Sequence, residues 1–180
     1  MNHLATSGAS PRTARQDRVP AGVAGSRTMA ANDESRIARF KKFFQDAASK
    51  FHLPSSVLAA IASRESRGGS ILSRNGTGDH GNGYGLMQID RRSHTWRGGP
   101  YSQDNVSQGA EILASNRDKL SAQHPNWSKE QILKAAISAY NKGFRGLGDP
   151  SSTDRGTTGG DYANDVIARA RFYAERGFSD

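Results

Sequence analysis

Residues 57–65 read VLAAIASRE, an apolar run that ends in an arginine and a glutamate. Its composition is typical of a helix that is buried on most of its surface. Pro54 favours the start of this helix, because the first turn needs no N–H from its first residue. Gly68 and Gly69 favour its end. The run therefore predicts a central buried helix with Glu65 in its last turn.

Helical spacing continues on both sides of this segment. An apolar stripe with spacings of three and four predicts one helix over residues 32–51, and similar stripes predict helices near 106–120, 128–139 and 162–173. Ser128 and Gln131 indicate a capping box at the start of the third of these four helices. Residues 76–85 include five glycines and are not expected to be helical, whereas residues 84–90 alternate as a short strand. The sequence predicts an α+β fold that is predominantly α-helical, with one small β-sheet or hairpin.

Composition indicates what the protein is attracted to and excludes several kinds of site and segment. The 25 Lys and Arg outnumber the 17 Asp and Glu, which gives a net charge of +8 and attraction to polyanions. The absence of cysteine excludes disulfides, thiolate metal ligands and cysteine nucleophiles. The longest apolar run is six residues, too short for a membrane span of about 20. The five histidines lack metal-ligand spacing, so we expect no metal and no cofactor.

The domain organisation is predicted to be simple. Residues 1–24 are rich in Ser, Thr, Gly and Arg without periodicity, and we interpret them as a flexible basic N-terminal arm. Residues 25–180 are predicted to form one catalytic domain, since 180 residues correspond to about one domain.

Glu65 is the first candidate for chemistry. Ile61 and Leu58, four and seven residues earlier, place it on or beside the buried face of its helix. Burial and the negative end of the helix dipole would both raise the pKa of its carboxyl group. A carboxylic acid that stays protonated near neutral pH can act as a general acid. The alternative is a surface glutamate paired with Arg64 or Arg67.

Asp79 and Asp90 flank the glycine-rich segment and the predicted strand. Glycine allows the backbone to approach a bulky ligand closely. A protonated carboxyl and an ionised carboxylate that face each other across a cleft are the arrangement used in glycoside hydrolysis. The alternative for Asp79 is that it only stabilises a turn.

Sugar ligands also need aromatic, amide and hydroxyl partners, which concentrate at helix ends and loops. For Tyr140 and Tyr162 the alternative is core packing. The candidate side chains of this kind are Tyr84, Gln88, His94, Trp96, Tyr101, Tyr140, Asn141 and Tyr162.

Three segments in order resemble the motifs shared by goose-type lysozymes and the lytic transglycosylases. They are SRES at 63–66, GYGLMQID at 83–90 and SAYN at 138–141. Further matches at 78–79, 92–94 and 161–165 (DYAND) point to the goose type, and the likeness covers about residues 25–173. Bird members carry disulfides, whereas this chain has no cysteine, as in fish-like members, so stability must come from the core alone. We therefore predict a modest melting temperature, below the value of about 90 °C that marks hyperstability.

The resemblance implies a lysozyme-like fold with its sheet beside the active-site cleft, and hydrolysis of the β-1,4 bond between N-acetylmuramic acid and N-acetylglucosamine in bacterial peptidoglycan. Glu65 would donate the proton, and Asp79, ahead of Asp90, would orient water for inversion, with the carboxyls about 6.5–9.5 Å apart. N-acetylglucosamine oligomers would be ligands, no cofactor is implied, and a monomer with a role in antibacterial defence is expected. The implied cleft residues are Gln88, His94, Tyr140, Asn141 and Tyr162.

Alternative functions remain at this stage. A lytic transglycosylase would need no carboxylate to position water, so Asp79 and Asp90 favour hydrolysis. A non-catalytic cationic protein that binds the cell wall would be expected to have lost Glu65. Nucleic-acid binding rests on charge alone, and no specific nucleic-acid motif is present. The first ten residues lack a secretory apolar region, which predicts a cytoplasmic or non-classically released protein acting on bacteria outside cells or in phagosomes, unless a leader has been removed.

Overall fold

A computed structural model describes residues 4–179. Within them, seven α-helices accompany one three-stranded antiparallel sheet of order β1-β2-β3. No described helix has the length and apolar character needed to cross a membrane. The α+β, mostly helical fold is thus confirmed. The elements are α1 (Pro11–Ala14), α2 (Val23–Ala38), α3 (Lys41–Phe51), α4 (Ser55–Ser66), β1 (Thr77–Gly78), β2 (Gly83–Tyr84), β3 (Ile89–Asp90), α5 (Gln103–Gln123), α6 (Lys129–Lys142) and α7 (Tyr162–Ala174).

Helix α4 is the centre of the molecule, as its sequence predicts. Every residue from 57 to 62 is fully buried, and the helix packs against α7, α3, α2 and α5. Pro54 precedes its first turn, and Arg67 ends it in a left-handed conformation with φ of 54°. Because α4 is enclosed on nearly every side, the polar residues in its last turn lie against protein rather than solvent.

The helix predicted over residues 32–51 is in fact two helices, α2 and α3. The break lies at Arg39 and Phe40, where Phe40 leaves the helical conformation with φ of −109° and ψ of 13°. Ile37 and Phe44 on either side are both fully buried. The apolar stripe continues through the break because both helices pack on the same core, and neither Gly nor Pro marks the turn.

The strand predicted over residues 84–90 is also divided. Gly85 and Gln88 have positive φ angles of 72° and 49°, and the turn between them reverses the chain, so that β2 pairs with β3. Leu86 and Met87 lie within this turn rather than in a strand, and both are fully buried. The predicted hairpin therefore exists, but its second turn lies inside the segment that was expected to be extended.

The predicted N-terminal arm is folded against the domain over its described residues. We call residues 4–22 the N-terminal strap. It contains α1 and a β-bridge between Ala9 and Gly22, and it buries Leu4, Ala9 and Ala14. The predicted boundary at residue 25 falls inside α2. The sequence pattern does not reveal this packing because the strap is held by distant partners, such as Asn164, whose carbonyl accepts a 2.5 Å hydrogen bond from Thr6.

Candidate active site

Glu65 lies at the end of α4, where its carboxyl group meets the start of α7. The Tyr162 hydroxyl donates a hydrogen bond to Oε1 of Glu65. The pKa of Glu65 is raised to about 7. Burial is the largest cause; the Tyr162 hydrogen bond and the charge of Arg64 oppose the rise, and the negative charge of Asp79 adds to it. The side chain still keeps some accessible surface. Glu65 is thus a carboxyl group that is substantially protonated near neutral pH and can be reached by a ligand.

The alternative of a surface ion pair for Glu65 is wrong. The Arg64 guanidinium turns away to Asp165 and Asp161, at 2.6 and 3.0 Å, and its side chain is only 8% exposed. Arg67 forms its ion pair with Asp17 of the strap. Both arginines are therefore engaged elsewhere, and Tyr162 supplies the direct contact to Glu65.

Two tyrosines form the wall behind Glu65. Tyr162 is buried in the core, and Tyr140 is half-buried with its hydroxyl donating a 2.7 Å hydrogen bond to the Met87 carbonyl. Burial, with the neighbouring charge of Glu65, raises the pKa of both phenols well above the usual value. Both rings therefore remain neutral hydroxyl donors. From the sequence, core packing and a role in the site were alternatives for Tyr140 and Tyr162. In the structure, both residues pack in the core and also lie at the site.

Asp79 presents an open carboxylate on the sheet side of the site. It follows β1 in a short 3-10 turn, with φ of 48°, and its side chain is 59% exposed. The guanidinium of Arg92 lies 3.8 Å from its Oδ2. Its charge is close enough to Glu65 to raise the pKa of that carboxyl. Asp79 is thus an accessible carboxyl group near enough to Glu65 to influence it electrostatically.

Asp90 is held differently. Arg92 donates hydrogen bonds to both carboxyl oxygens of Asp90: Nε lies 2.9 Å from Oδ1, and Nη2 lies 2.8 Å from Oδ2. These hydrogen bonds lower the pKa of Asp90. The carboxylate is ionised, but its oxygens are already shared with a cation, so it is less free than Asp79 to bind water.

A cleft of about 810 Å³ runs beside these residues between the sheet, α5 and α6. Tyr140 lines this cleft and is also close enough to Glu65 for the charge of that carboxyl group to act on its hydroxyl group. His94 is exposed on its rim. Of the three candidate carboxyl groups and the five implied cleft residues, Asp90, Gln88, His94, Tyr140 and Asn141 line this cleft. Glu65, Asp79 and Tyr162 are not among the residues that line it.

Gln88 and Asn141 are fixed by local contacts. Gln88 donates a 2.9 Å hydrogen bond to the Gly85 carbonyl and lies across the sheet, where a Cβ on Gly78 or Gly83 would come within 2.5 or 2.3 Å of its Oε1. These glycines thus admit the Gln88 side chain, whereas the sequence suggested that they admit a ligand. Asn141 accepts a 2.8 Å hydrogen bond from the Thr158 backbone and ties α6 to the loop before α7.

A buried ionic network that the sequence pattern did not reveal lies behind Glu65. Asp165 lies between Arg64 and Arg169, at 2.6 and 2.9 Å, and Ser63 joins Arg169 to Asp33 through hydrogen bonds of 2.9 and 2.7 Å. The network locks α2, α4 and α7 together around the site. The available signal was the DYAND segment at 161–165, whose two aspartates flank Tyr162.

Within residues 4–179, no group of three or more histidine, aspartate or glutamate side chains is arranged to hold a metal ion. The described residues thus offer a substantially protonated carboxyl at Glu65, an exposed carboxyl group at Asp79, neutral tyrosine hydroxyls and an adjoining cleft. Such a set includes a group that can donate a proton and a group that can bind water.

Known proteins are similar to this chain over nearly its whole length. The family model for lysozyme g matches residues 1–177. The chain is 44% identical to lysozyme G of Dromaius novaehollandiae over 179 residues, which cover 99% of this chain and 87% of that protein. It is 43% identical to lysozyme g of Casuarius casuarius, with coverage of 99% and 96%. It is 40% identical to lysozyme g of Epinephelus coioides over 188 residues, with coverage of 98% and 96%.

Proposed function

This chain belongs to the lysozyme g family, and we propose that it hydrolyses the β-1,4 bond between N-acetylmuramic acid and N-acetylglucosamine in bacterial peptidoglycan. As a lysozyme it is a glycoside hydrolase. The observation that carries the proposed mechanism is the protonated carboxyl of Glu65, raised in pKa to about 7, with the open carboxylate of Asp79 near it.

Glu65 is the general acid of the proposed reaction. Its proton passes to the glycosidic oxygen as the bond from that oxygen to the anomeric carbon breaks. The Tyr162 hydroxyl remains hydrogen-bonded to Oε1, which directs the proton towards the other carboxyl oxygen and stabilises the carboxylate that forms.

Asp79 is the base that orients the attacking water. The water adds to the anomeric carbon from the face opposite the leaving oxygen and gives its proton to Asp79, so the configuration inverts. Asp90 is a weaker candidate because Arg92 occupies both of its oxygens. We propose that Asp90 instead orients Arg92, whose Nη2 lies 3.8 Å from Oδ2 of Asp79.

The cleft along the sheet and α6 is the proposed binding site for the glycan chain. Gln88, His94, Tyr140 and Asn141 line it, and N-acetylglucosamine oligomers are the soluble ligands expected there. The net charge of +8 favours approach to anionic bacterial walls, an attraction that salt screens. The physiological role proposed is antibacterial defence, with the monomer acting on bacteria outside cells or in phagosomes.

Lytic transglycosylase action is the second candidate, because it uses the same general acid. In that reaction a hydroxyl of the sugar attacks, and an anhydro product forms without water. The open carboxylate of Asp79 favours hydrolysis. Mass spectrometry of the released fragments separates the two: hydrolysis adds the mass of one water to each cleaved bond, whereas a dominant anhydro species would contradict our proposal.

Clearing of a peptidoglycan suspension by Glu65→Gln tests the assignment. The substitution keeps the size and polarity of the side chain but removes the transferable proton, so the rate should fall by about 100-fold or more. Glu34→Gln is the matched control, since Glu34 is exposed and pairs with Arg176. Equal clearing by native protein and Glu65→Gln would mean that lysis comes from charge or from another site.

A further inference from the structure

Asp161 joins three parts of the molecule directly beside the proposed acid. Its Oδ1 accepts a 3.0 Å hydrogen bond from Nη2 of Arg64 on α4, and its Oδ2 accepts a 2.5 Å hydrogen bond from the Ser10 backbone N–H of the strap. Asp161 itself immediately precedes Tyr162, the residue that contacts Glu65. Both of its carboxyl oxygens are thus committed to neighbours on opposite sides.

The carboxylate of Asp161 is free for this role because another residue caps α7. Asp154 accepts hydrogen bonds from the backbone N–H groups of Ala163 and Asn164, at 2.7 and 2.8 Å, although it lies in the preceding loop. Asp161 occupies the N-cap position of α7 but makes no cap with its side chain. Since capping does not need Asp161, its burial at 3% exposure reflects the contacts to Arg64 and the strap.

Arg64, which binds Asp161, also contacts the Tyr162 ring. Its guanidinium carbon lies 5.4 Å from the ring centroid, while its two ends bind Asp161 and Asp165. Tyr162 is therefore held by the residue before it and by a cation over its face. Displacement of Asp161 would release one end of Arg64 and move the ring that reaches Glu65.

We infer that Asp161 is a positioning residue: it couples docking of the N-terminal strap, through Ser10 and Arg64, to the hydrogen bond between Tyr162 and Glu65. The strap is then part of the catalytic apparatus although it does not touch the cleft. This role rests on the proposed function, because Asp161 would position Tyr162 against the proposed general acid, Glu65.

The coupling predicts the direction in which the pKa of Glu65 changes when Asp161 is replaced. The groups that bear on Glu65 are Arg64 on its own helix, Tyr162 of α7, Tyr140 of α6 and Asp79 of the sheet. Loss of the Tyr162 hydrogen bond raises the pKa of Glu65, since that bond favours the carboxylate. Removal of a negative charge at Asp161 would by itself act in the opposite direction. If the pKa of Glu65 rises in Asp161→Asn, the cause is therefore the lost positioning of Tyr162 and not the lost charge of Asp161.

Ser10 offers a matched pair of variants. Ser10→Pro removes the N–H that binds Asp161, and proline fits the Ser10 φ of −68°. Both Ser10→Pro and Ser10→Ala lose the hydroxyl that caps α1, but Ser10→Ala keeps the N–H. The difference between the two variants therefore isolates the contact between the strap and Asp161.

The experiment is a ¹³C NMR titration of the Glu65 carboxyl in the full chain, with thermal melting measured alongside. Ser10→Pro and Asp161→Asn should raise the Glu65 midpoint by about half to one pH unit relative to Ser10→Ala and to native protein. In a Tyr162→Phe background neither substitution should raise the midpoint further, and Asp161→Asn should lower it slightly through the lost charge. Unchanged midpoints in folded protein, or equal shifts with and without the Tyr162 hydroxyl, would overturn the inference.

The titration does not depend on turnover. If Glu65→Gln proved fully active, the proposed function would fail while the coupling could still be measured. If Ser10→Pro does not fold, Asp161→Asn and its double variant with Tyr162→Phe decide the question. Glu175→Gln, which breaks an exposed ion pair between the far end of α7 and Arg27, is the control for loosening of α7 in general, and it should leave the midpoint in place.

Discussion

The hydroxyl of Tyr162 at the start of α7 donates its hydrogen bond to Oε1 of Glu65 at the end of α4. The two residues are 97 positions apart in the chain, yet the contact sets how readily the carboxyl group releases its proton. Burial raises the pKa of Glu65, and the tyrosine limits the rise. The balance leaves Glu65 with a pKa of about 7, near the pH at which a general acid works best.

The rate of hydrolysis should fall as pH increases through about 7, because Glu65 must be protonated to act. Tyr162→Phe removes a donor to the carboxylate, so the alkaline limb of the pH–rate profile should move to higher pH by about half a unit. The measurement is kcat/KM on a soluble N-acetylglucosamine oligomer between pH 4 and 9. A limb that moved to lower pH would show that the hydroxyl does not favour the ionised form.

Glu65→Gln should stabilise the protein above neutral pH. In the unfolded chain Glu65 ionises near its ordinary pKa of 4.5, whereas in the folded protein it ionises near 7. The unfolded state therefore holds fewer protons between these values, and the free energy of unfolding falls as pH rises across this window. The amide removes that penalty. Since the carboxyl is partly accessible, we expect a gain of about 1–2 kcal/mol at pH 8 and little at pH 4.

Thermal melts of native protein and Glu65→Gln at both pH values test this prediction. The difference in melting temperature should be wider at pH 8 than at pH 4. A constant difference would mean that the substitution acts through packing, and that the pKa of Glu65 is not raised in the folded state.

Asp79→Asn should impair turnover more than Asp90→Asn. Asp79 is the open carboxylate, while Asp90 is already neutralised by Arg92, so we expect losses in kcat of about 100-fold and less than about tenfold. Asp79→Asn should also move the alkaline limb to lower pH, because its charge contributes to the raised pKa of Glu65. Steady-state kinetics with anomer detection by NMR would reveal reversed roles if Asp90→Asn proved the more damaging.

Gly78→Ala should displace Gln88 with little effect on folding. The added Cβ would lie 2.5 Å from Gln88 Oε1, which is the movable end of a side chain. We expect weaker binding of N-acetylglucosamine oligomers by about three- to tenfold, as for loss of one hydrogen-bonding group. Gly148→Ala is the control, since no atom lies within 4 Å of its Cβ. Gly78→Ala and Gln88→Ala should not be additive; additive losses would show that the glycine acts through the backbone instead.

The sequence determined the parts of this protein that depend on local chemistry. The apolar run at 57–62 predicted a buried segment, because apolar side chains are driven out of water. Pro54 before it and Gly68 and Gly69 after it indicated that this segment is a helix, which is α4. Ser128 and Gln131 form the predicted capping box, with reciprocal hydrogen bonds of 3.2 and 2.9 Å. The position of Glu65 after that run predicted a raised pKa, and burial is indeed its largest cause.

Only the tertiary structure decided which distant groups meet. Periodicity could not show the turn at Phe40, the reversal at Gln88 or the docking of the strap, because in each case the deciding contacts are made across the core. The partners of Arg64 were equally hidden: Glu65 is its neighbour in sequence, but Asp161 and Asp165 are its partners in space. Side chains in a helix point to different faces, so adjacency in the chain does not decide pairing. The sequence thus identified Glu65 as the candidate acid. The packing of α7 and the strap against α4 determined the groups that surround it.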